Sequence, residues 1–161
     1  MNVNTDLVKG DDLFLYIYSG GTGSTNAVVL AFATSCEISI DQETIDTSNK
    51  MSCRWNSNLA GKSSYTISAD ALYTQAAGAY SFDAMMAAMV AGDAVPWAVG
   101  QAVAATSAET CESRSFALDT AKPYYKGEGL ITSLSLSAGN NEVASCSITI
   151  TGSGEIVPVT A

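Results

Sequence analysis

The chain contains no histidine. The commonest general base, the usual activator of a nucleophile and the commonest metal ligand are therefore all missing together. A Ser–His–Asp or Cys–His arrangement is impossible. Lys62 stands beside Ser63 and Ser64, but a lysine next to a serine is expected by chance and defines no Ser–Lys nucleophile. Cys36, Cys53, Cys111 and Cys146 form no C-x-x-C pair, so their spacing points to no metal site. Asp11 and Asp12 are adjacent acids, but no loop of alternating acids follows them to complete a Ca²⁺ site. Gly20-Gly-Thr-Gly23 is glycine-rich yet lacks the lysine and helix of a phosphate loop. Paired-carboxylate glycoside chemistry is open to any acidic β protein, and no residue here favours it. The expectation is a structural, non-enzymatic chain with no cofactor and no metal.

The elements that carry these residues must fit in 161 residues, the size of one domain (1–161) able to bury a core without disulfides or metal. Charged residues are 14% of the chain, against roughly 25% in an ordinary domain. A surface so weakly charged suggests contacts between subunits. Sixteen acids face seven bases, a net charge of −9, and the bases are scattered from Lys9 to Lys126. Binding nucleic acid by phosphate neutralisation needs clustered Lys and Arg and is disfavoured. A protein that conducts DNA without holding it remains open. Met1 to Asp12 has neither a basic nor an apolar signal region, which predicts no secretory signal and folding in a cytoplasm. In that setting all four cysteines are read as reduced. No apolar run is long enough to span a bilayer.

Period-two alternation dominates the pattern. Asp12 to Tyr18 reads as a buried strand, Ser19 to Ser24 as a turn, and Val28 to Thr34 as a short apolar strand. From Ser35 to Glu43, Cys36, Ile38 and Ile40 alternate with Glu37, Ser39, Asp41 and Glu43. Thr44 to Lys62 is polar and aperiodic around Trp55, and reads as a long loop or an extended hairpin arm. A large aromatic there suits a partner surface, with folding back onto its own domain as the alternative. Ser64 to Tyr73 alternates again, with Tyr65, Ile67 and Ala69 in phase. A helix is predicted over Ser81 to Ala91, capped by Ser81 and Gly92, with Phe82, Met85, Met86, Met89 and Val90 as its apolar face. Pro96 to Gly100 is a short strand, and Ala102 to Asp119 a small-residue loop partly pinned by Phe116. Gly127 to Ser137 and Ser145 to Thr151 form a hairpin across an Asn140–Asn141 turn. Its oily face holds Leu134, Leu136, Cys146, Ile148 and Ile150, and its hydroxyl face holds Ser133, Ser135, Ser137, Ser147 and Thr149. About seven strands and one helix predict a mainly β, antiparallel sandwich or half-open barrel with a helix on its flank.

Strands with Ser, Thr, Asp or Glu at every second position are simply wet on an ordinary sandwich. The sharper reading is the wall of a shared channel. Its hydroxyls would be smooth, and Glu37, Asp41 and Glu43 would repel DNA phosphates so that a duplex slides.

With these features the chain resembles the major tail, or tail tube, proteins of long-tailed bacteriophages. The likeness is carried by Lys9 to Tyr16, by Ala33 to Ile40 leading into Glu43 to Ser48, and by Trp55 followed by Leu59 to Ser68. Its most specific stretch is Tyr125-Lys-Gly-Glu-Gly-Leu-Ile-Thr-Ser-Leu-Ser-Leu-Ser-Ala-Gly-Asn-Asn-Glu142, continuing to Ile150-Thr-Gly-Ser-Gly154. The resemblance implies two packed antiparallel sheets with a flanking helix, and hexameric rings stacked into a tube in the virion tail. One sheet of each subunit would join its neighbours' in an inner β-barrel lined by Glu37, Ser39, Asp41, Glu43, Ser133, Ser135, Ser137, Ser147 and Thr149. The helix would pack away from that lumen. Residues 44–62 would form an arm to the next ring, with Ile45, Asp46, Lys50, Met51, Arg54, Trp55 and Leu59 as contacts. Implied partners are further copies of the chain, a tape-measure protein, tail-terminator and baseplate or tip proteins, and double-stranded DNA passing without specific binding, all assembled in the host cytoplasm. Two other readings stand beside it: the inner tube of a phage-like contractile injection machine, which passes protein, and a stand-alone β-sandwich binding module. The module predicts aromatics grouped on loops, whereas most here lie in strand-like segments.

Overall fold

The computed structural model describes residues 8, 10–20, 26–30, 33–52, 54–74, 80–104 and 116–160. Its strands are β1 (Leu13–Tyr18), β2 (Ala27–Val29), β3 (Ala33–Asp46), β4 (Asn58–Leu72), β5 (Val95–Gln101), β6 (Tyr124–Ser137) and β7 (Ser145–Val159), with one helix, α1 (Phe82–Ala91). They form a single seven-stranded sheet in the order β2-β1-β5-β6-β7-β4-β3, and every pairing is antiparallel. The mainly β, antiparallel, half-open-barrel expectation is met, with the strands in one curled sheet where the resemblance implied two packed ones. The predicted strands are present, several of them longer than the alternation alone indicated, except that the expected strand from Val28 to Thr34 is the three-residue β2, and Ala33 and Thr34 belong to β3.

The sheet curls. Leu15 and Ile17 of β1 share one core with Ile67 of β4 and Ile148 and Ile150 of β7, although β5, β6 and β7 separate β1 from β4 in the sheet. The largest side chain in that core is Trp97, which meets Tyr65 edge-on with ring centroids 5.5 Å apart. The Tyr65 hydroxyl donates to the Glu128 carbonyl. Glycine makes room for this pair. A Cβ on Gly152 would lie 2.3 Å from the Tyr65 ring, and one on Gly127 would lie 2.8 Å from Trp97.

Helix α1 closes over the apolar side. Met85 is buried in the core, and Phe82 and Ala88 pack against it. Met86, Met89 and Val90, expected on the same face, are exposed instead, Val90 at 84%. Apolar residues surround this helix on most sides, so its sequence alone selects no single face, and docking uses the narrow 82–85–88 stripe. Ser81 occupies the N-cap position, but its hydroxyl makes no cap bond. At the other end Gly92 is left-handed. Its N–H reaches Met89 O and that of Asp93 reaches Ala88 O, a Schellman closure. In the β6–β7 turn Asn141 takes the left-handed conformation, at φ 64°. Cys36 and Cys146 are free thiols on the apolar phase; Cys53 and Cys111 lie outside the described residues, as does most of the loop before Phe116. Phe116 itself meets Phe14 at a tilt, with ring centroids 5.6 Å apart.

Candidate functional site

Four adjacent strands, β6, β7, β4 and β3, build one two-faced panel. On the apolar side Ile131, Leu134, Cys146, Ile148, Ile150, Tyr65, Ile67, Cys36 and Ile38 contribute to the core. The opposite side carries hydroxyls and carboxylates in register. One row runs Ser135, Ser147, Asp70, Ser35, and the next runs Ser133, Thr149, Ser68, Glu37. All nine residues expected on a lumen wall lie on this face: Glu37, Ser39, Asp41, Glu43, Ser133, Ser135, Ser137 and Ser147 are exposed, and Thr149 is half-buried.

The row through β4 was not among those residues, although Ser64, Thr66, Ser68 and Asp70 share one phase there. Asp70 is its centre. It accepts hydrogen bonds from Ser147 Oγ at 2.6 Å and from Ser35 Oγ at 2.9 Å. These donors, Ser147 first, hold its carboxyl below the usual range. Thr132 Oγ1 and Thr151 Oγ1 are bonded at 3.0 Å. Thr132 is an extra residue in β6, between the pairs Ile131–Ile150 and Ser133–Thr149. This bulge moves the apolar phase of β6 from odd to even positions, which keeps both Ile131 and Leu134 on the core side.

Among the described residues, both edges of the panel lack a strand partner. β5 pairs with β6 only as far as Gly129, so Leu130–Ser137 has no strand on that side among the described residues. β3 is the last strand of the sheet along its whole length.

Beyond the panel, β3 and β4 continue as a two-stranded ribbon. β7 pairs with β4 only from Thr66 onward, whereas the β3–β4 ladder runs out to Asp46–Asn58. Residues 44–62 are thus a hairpin arm rather than a long loop. Gly61 and Lys62 stand together opposite Glu43. Gly61 is needed there, because a Cβ would fall 2.9 Å from the Glu43 carbonyl oxygen. Past the bulge, Ile45 pairs with Leu59. At the tip, Thr47 N–H donates to Ser57 O at 2.7 Å, and Ser57 N–H donates to Ser48 Oγ at 3.0 Å. Asp46 Oδ1 accepts from Ser48 N–H at 2.8 Å, and hydrogen bonding to Ser48 lowers the Asp46 pKa. Asn49 and Ser52 close the next turn. This scaffold presents Lys50, Arg54, Met51 at 90% exposure and Trp55 at 84%. Trp55 therefore does not fold back onto its own core.

A cleft of about 740 Å³ opens where the curled sheet fails to close, between the starts of β1 and β3. Its walls include Leu13, Phe14, Ile38 and Tyr125, with Asp11 at the rim. Cys36 also lines it, and burial pushes that thiol up to about 11. Among the described residues no three His, Cys, Asp or Glu side chains gather closely enough to hold a metal, and no helix is long and apolar enough to cross a membrane.

The chain is thus a curled antiparallel sheet with one oily face, one hydroxyl face and, among the described residues, unpaired strand edges. The model of the phage tail tube protein family matches residues 7–158, and the chain belongs to that family. No curated protein matches it in sequence. Among solved structures, the chain is similar to a protein of the tail of an empty gene transfer agent particle with C6 symmetry. That likeness has 20% identity and a TM-score of 0.72 over 96% of this chain and 100% of the other. A chain of the SPP1 tail tube is similar at 12% identity and a TM-score of 0.70, over 96% and 80% of the two chains. A chain of the six-fold symmetrised baseplate of the anti-feeding prophage gives 11% and 0.60, over 96% and 95%. At these identities the likeness is one of fold.

Proposed function

We propose that this tail tube subunit joins edge to edge into hexameric rings, and that the rings stack around a negatively charged, hydroxyl-rich lumen. The lumen houses the tape-measure protein during assembly in the host cytoplasm and conducts double-stranded DNA during ejection. The observation that carries this reading is the panel with two open edges and one polar face. Within it β3 and β6 run in opposite directions, because each of the three intervening pairings is antiparallel. Copies related by rotation about an axis along the strands would therefore set β6 of one against β3 of the next as antiparallel partners. Closing such a ring removes the open edges, and the polar face then lines the bore. Glu37, Asp41, Glu43 and Asp70 give that face its negative charge, which repels phosphates. The arm would extend from the ring to its neighbour in the stack, and tail-terminator and baseplate or tip proteins would meet the two ends of the tube.

Negative-stain microscopy of the purified chain tests the reading. Rings or tubes with an open bore are expected. A monomer at high concentration, with no particles in the images, refutes it.

A further inference from the structure

The arm tip and the β1–β3 cleft are complementary, yet one subunit cannot bring them together. The cleft is lined by residues at the start of β3, Ala33 to Cys36 and Ile38. Asp46, where the tip begins, lies eight residues further along the same strand (38 to 46). At ~3.3 Å per residue that is roughly 26 Å, directed away from the cleft. A projection at one end and a recess toward the other form a heterologous pair, and because the two are offset along the strand direction, their repeat advances along that direction.

The chemistry matches as well. The tip presents Met51 and Trp55, strongly exposed, flanked by Lys50 and Arg54. Neither cation has a salt-bridge partner among the described residues. The cleft is apolar, with exposed Leu13 and Tyr125 at its surface. Asp11 and its exposed neighbour Asp12 supply negative charge at the rim. Trp with a flanking Arg against an apolar recess is the composition of an interface hot spot. We propose that the cleft between β1 and β3 receives the arm tip of a second copy in the adjacent ring, with Trp55 and Met51 seated in the recess and Lys50 and Arg54 facing Asp11 and Asp12. This rests on the reading of the arm as the contact between rings, and it names the surface that the arm meets.

Charge exchange in the full-length protein tests the pairing. Asp11→Lys with Asp12→Lys reverses the rim, and Lys50→Asp with Arg54→Asp reverses the tip; all four sites are exposed. Each pair should leave rings intact while lowering the stacked fraction about tenfold by sedimentation and microscopy, and the fourfold exchange should restore tubes. Normal stacking by the rim variant, with stacking lost in the tip variant, overturns the cleft as receptor and leaves the arm reading standing. Normal stacking by both variants removes the arm reading too, and failure of the fourfold exchange to restore tubes refutes the pairing. In a second arm, Leu13→Cys combined with Met51→Cys should give an oxidation-dependent ladder of covalent multimers from assembled tubes, beyond that of either single variant. Tubes without such a ladder overturn the proposal. So does protection of the Leu13→Cys thiol from a maleimide in dissociated subunits, which would mean that a segment of the same chain fills the cleft.

Discussion

Gly152→Ala tests the packing of the Tyr65 ring against the β7 backbone. The added methyl carbon would fall 2.3 Å from Tyr65 Cζ and 2.4 Å from both Cε atoms, against ~3.5–4.0 Å for an ordinary carbon contact. The ring would have to retreat by more than about 1 Å. Trp97 lies at its edge, its hydroxyl is bonded to Glu128 O, and the chain at Gly127 already stands close behind. Overpacking of this kind costs ~1–3 kcal/mol, and losing the hydroxyl bond adds ~0.5–1.5 kcal/mol. The Gly152 φ is not in the left-handed region, so alanine regains ~0.4–1 kcal/mol through the unfolded chain. The net loss is about 2 kcal/mol, or roughly 4–8 °C in Tm for a chain of this length. Urea or thermal unfolding measures it at matched protein concentration, because self-association shifts the midpoint. In a Tyr65→Ala background the same substitution should cost less than ~0.5 kcal/mol, since its obstacle is gone. An equal cost in both backgrounds, or no cost in either, refutes the reasoning.

Replacing Glu37, Asp41 and Glu43 together by Lys should leave tubes intact but slow or jam DNA ejection; normal infectivity would refute the sliding argument. Replacing Thr47–Ser57 by Asn-Gly, a two-residue turn that suits the directly paired Asp46 and Asn58, should give folded rings that do not stack, and tubes seen by microscopy would refute the arm assignment. The Asp70 carboxyl titrates below the usual range because Ser147 and Ser35 donate to it. Its stabilising contribution is therefore present above the unfolded carboxylate pKa of ~3.9 and lost as pH falls through the lower folded value. Asp70→Asn should show a small deficit at pH 7 that vanishes in acid. An NMR titration placing the Asp70 pKa at or above the ordinary value would contradict this. Cys36, raised to about 11 by burial, should react far more slowly with a thiol reagent at pH 8 than an unfolded thiol does.

Most of the panel was legible because each of its strands is wet on one side and dry on the other, and a period of two records that difference directly. What alternation does not carry is register. Asp70 shares its phase with Ser64, Thr66 and Ser68, but only the pairing of Ser35, Asp70 and Ser147 across three strands makes it a hydrogen-bonded centre. The Thr132 bulge left a trace, since the alternation of β6 is clean only in its second half. The core partner of Tyr65 left none: Gly127 and Gly152 read as turn or motif residues until an indole and a ring are seen to occupy their missing side chains. The helix misled for the opposite reason. With Ala and Met on nearly every side, its sequence offers several apolar faces, and tertiary contact alone selects Phe82, Met85 and Ala88. Trp55 stands exposed, as a lone aromatic among polar residues with no local core to join would be.

The distribution of charge discriminates among the ways two open edges can meet. The β3 edge carries Glu37, Asp41, Glu43 and Asp46, whereas the open part of β6, Leu130–Ser137, carries no charge. Two β3 edges laid together would bring several carboxylates close across the new ladder. Each directly opposed like-charged pair is destabilising, and the sum grows with the length of the contact. A β3 edge against a β6 edge meets no such penalty, because Ser133, Ser135 and Ser137 present hydroxyls to the same face. The acids that make the polar face repel phosphates therefore also disfavour symmetric dimers through β3. In the proposed ring they would bias a long, exposed edge strand toward the head-to-tail partner with which the ring closes. One set of side chains would thus act twice, first in selecting the neighbour and then in keeping the bore from binding what passes through it.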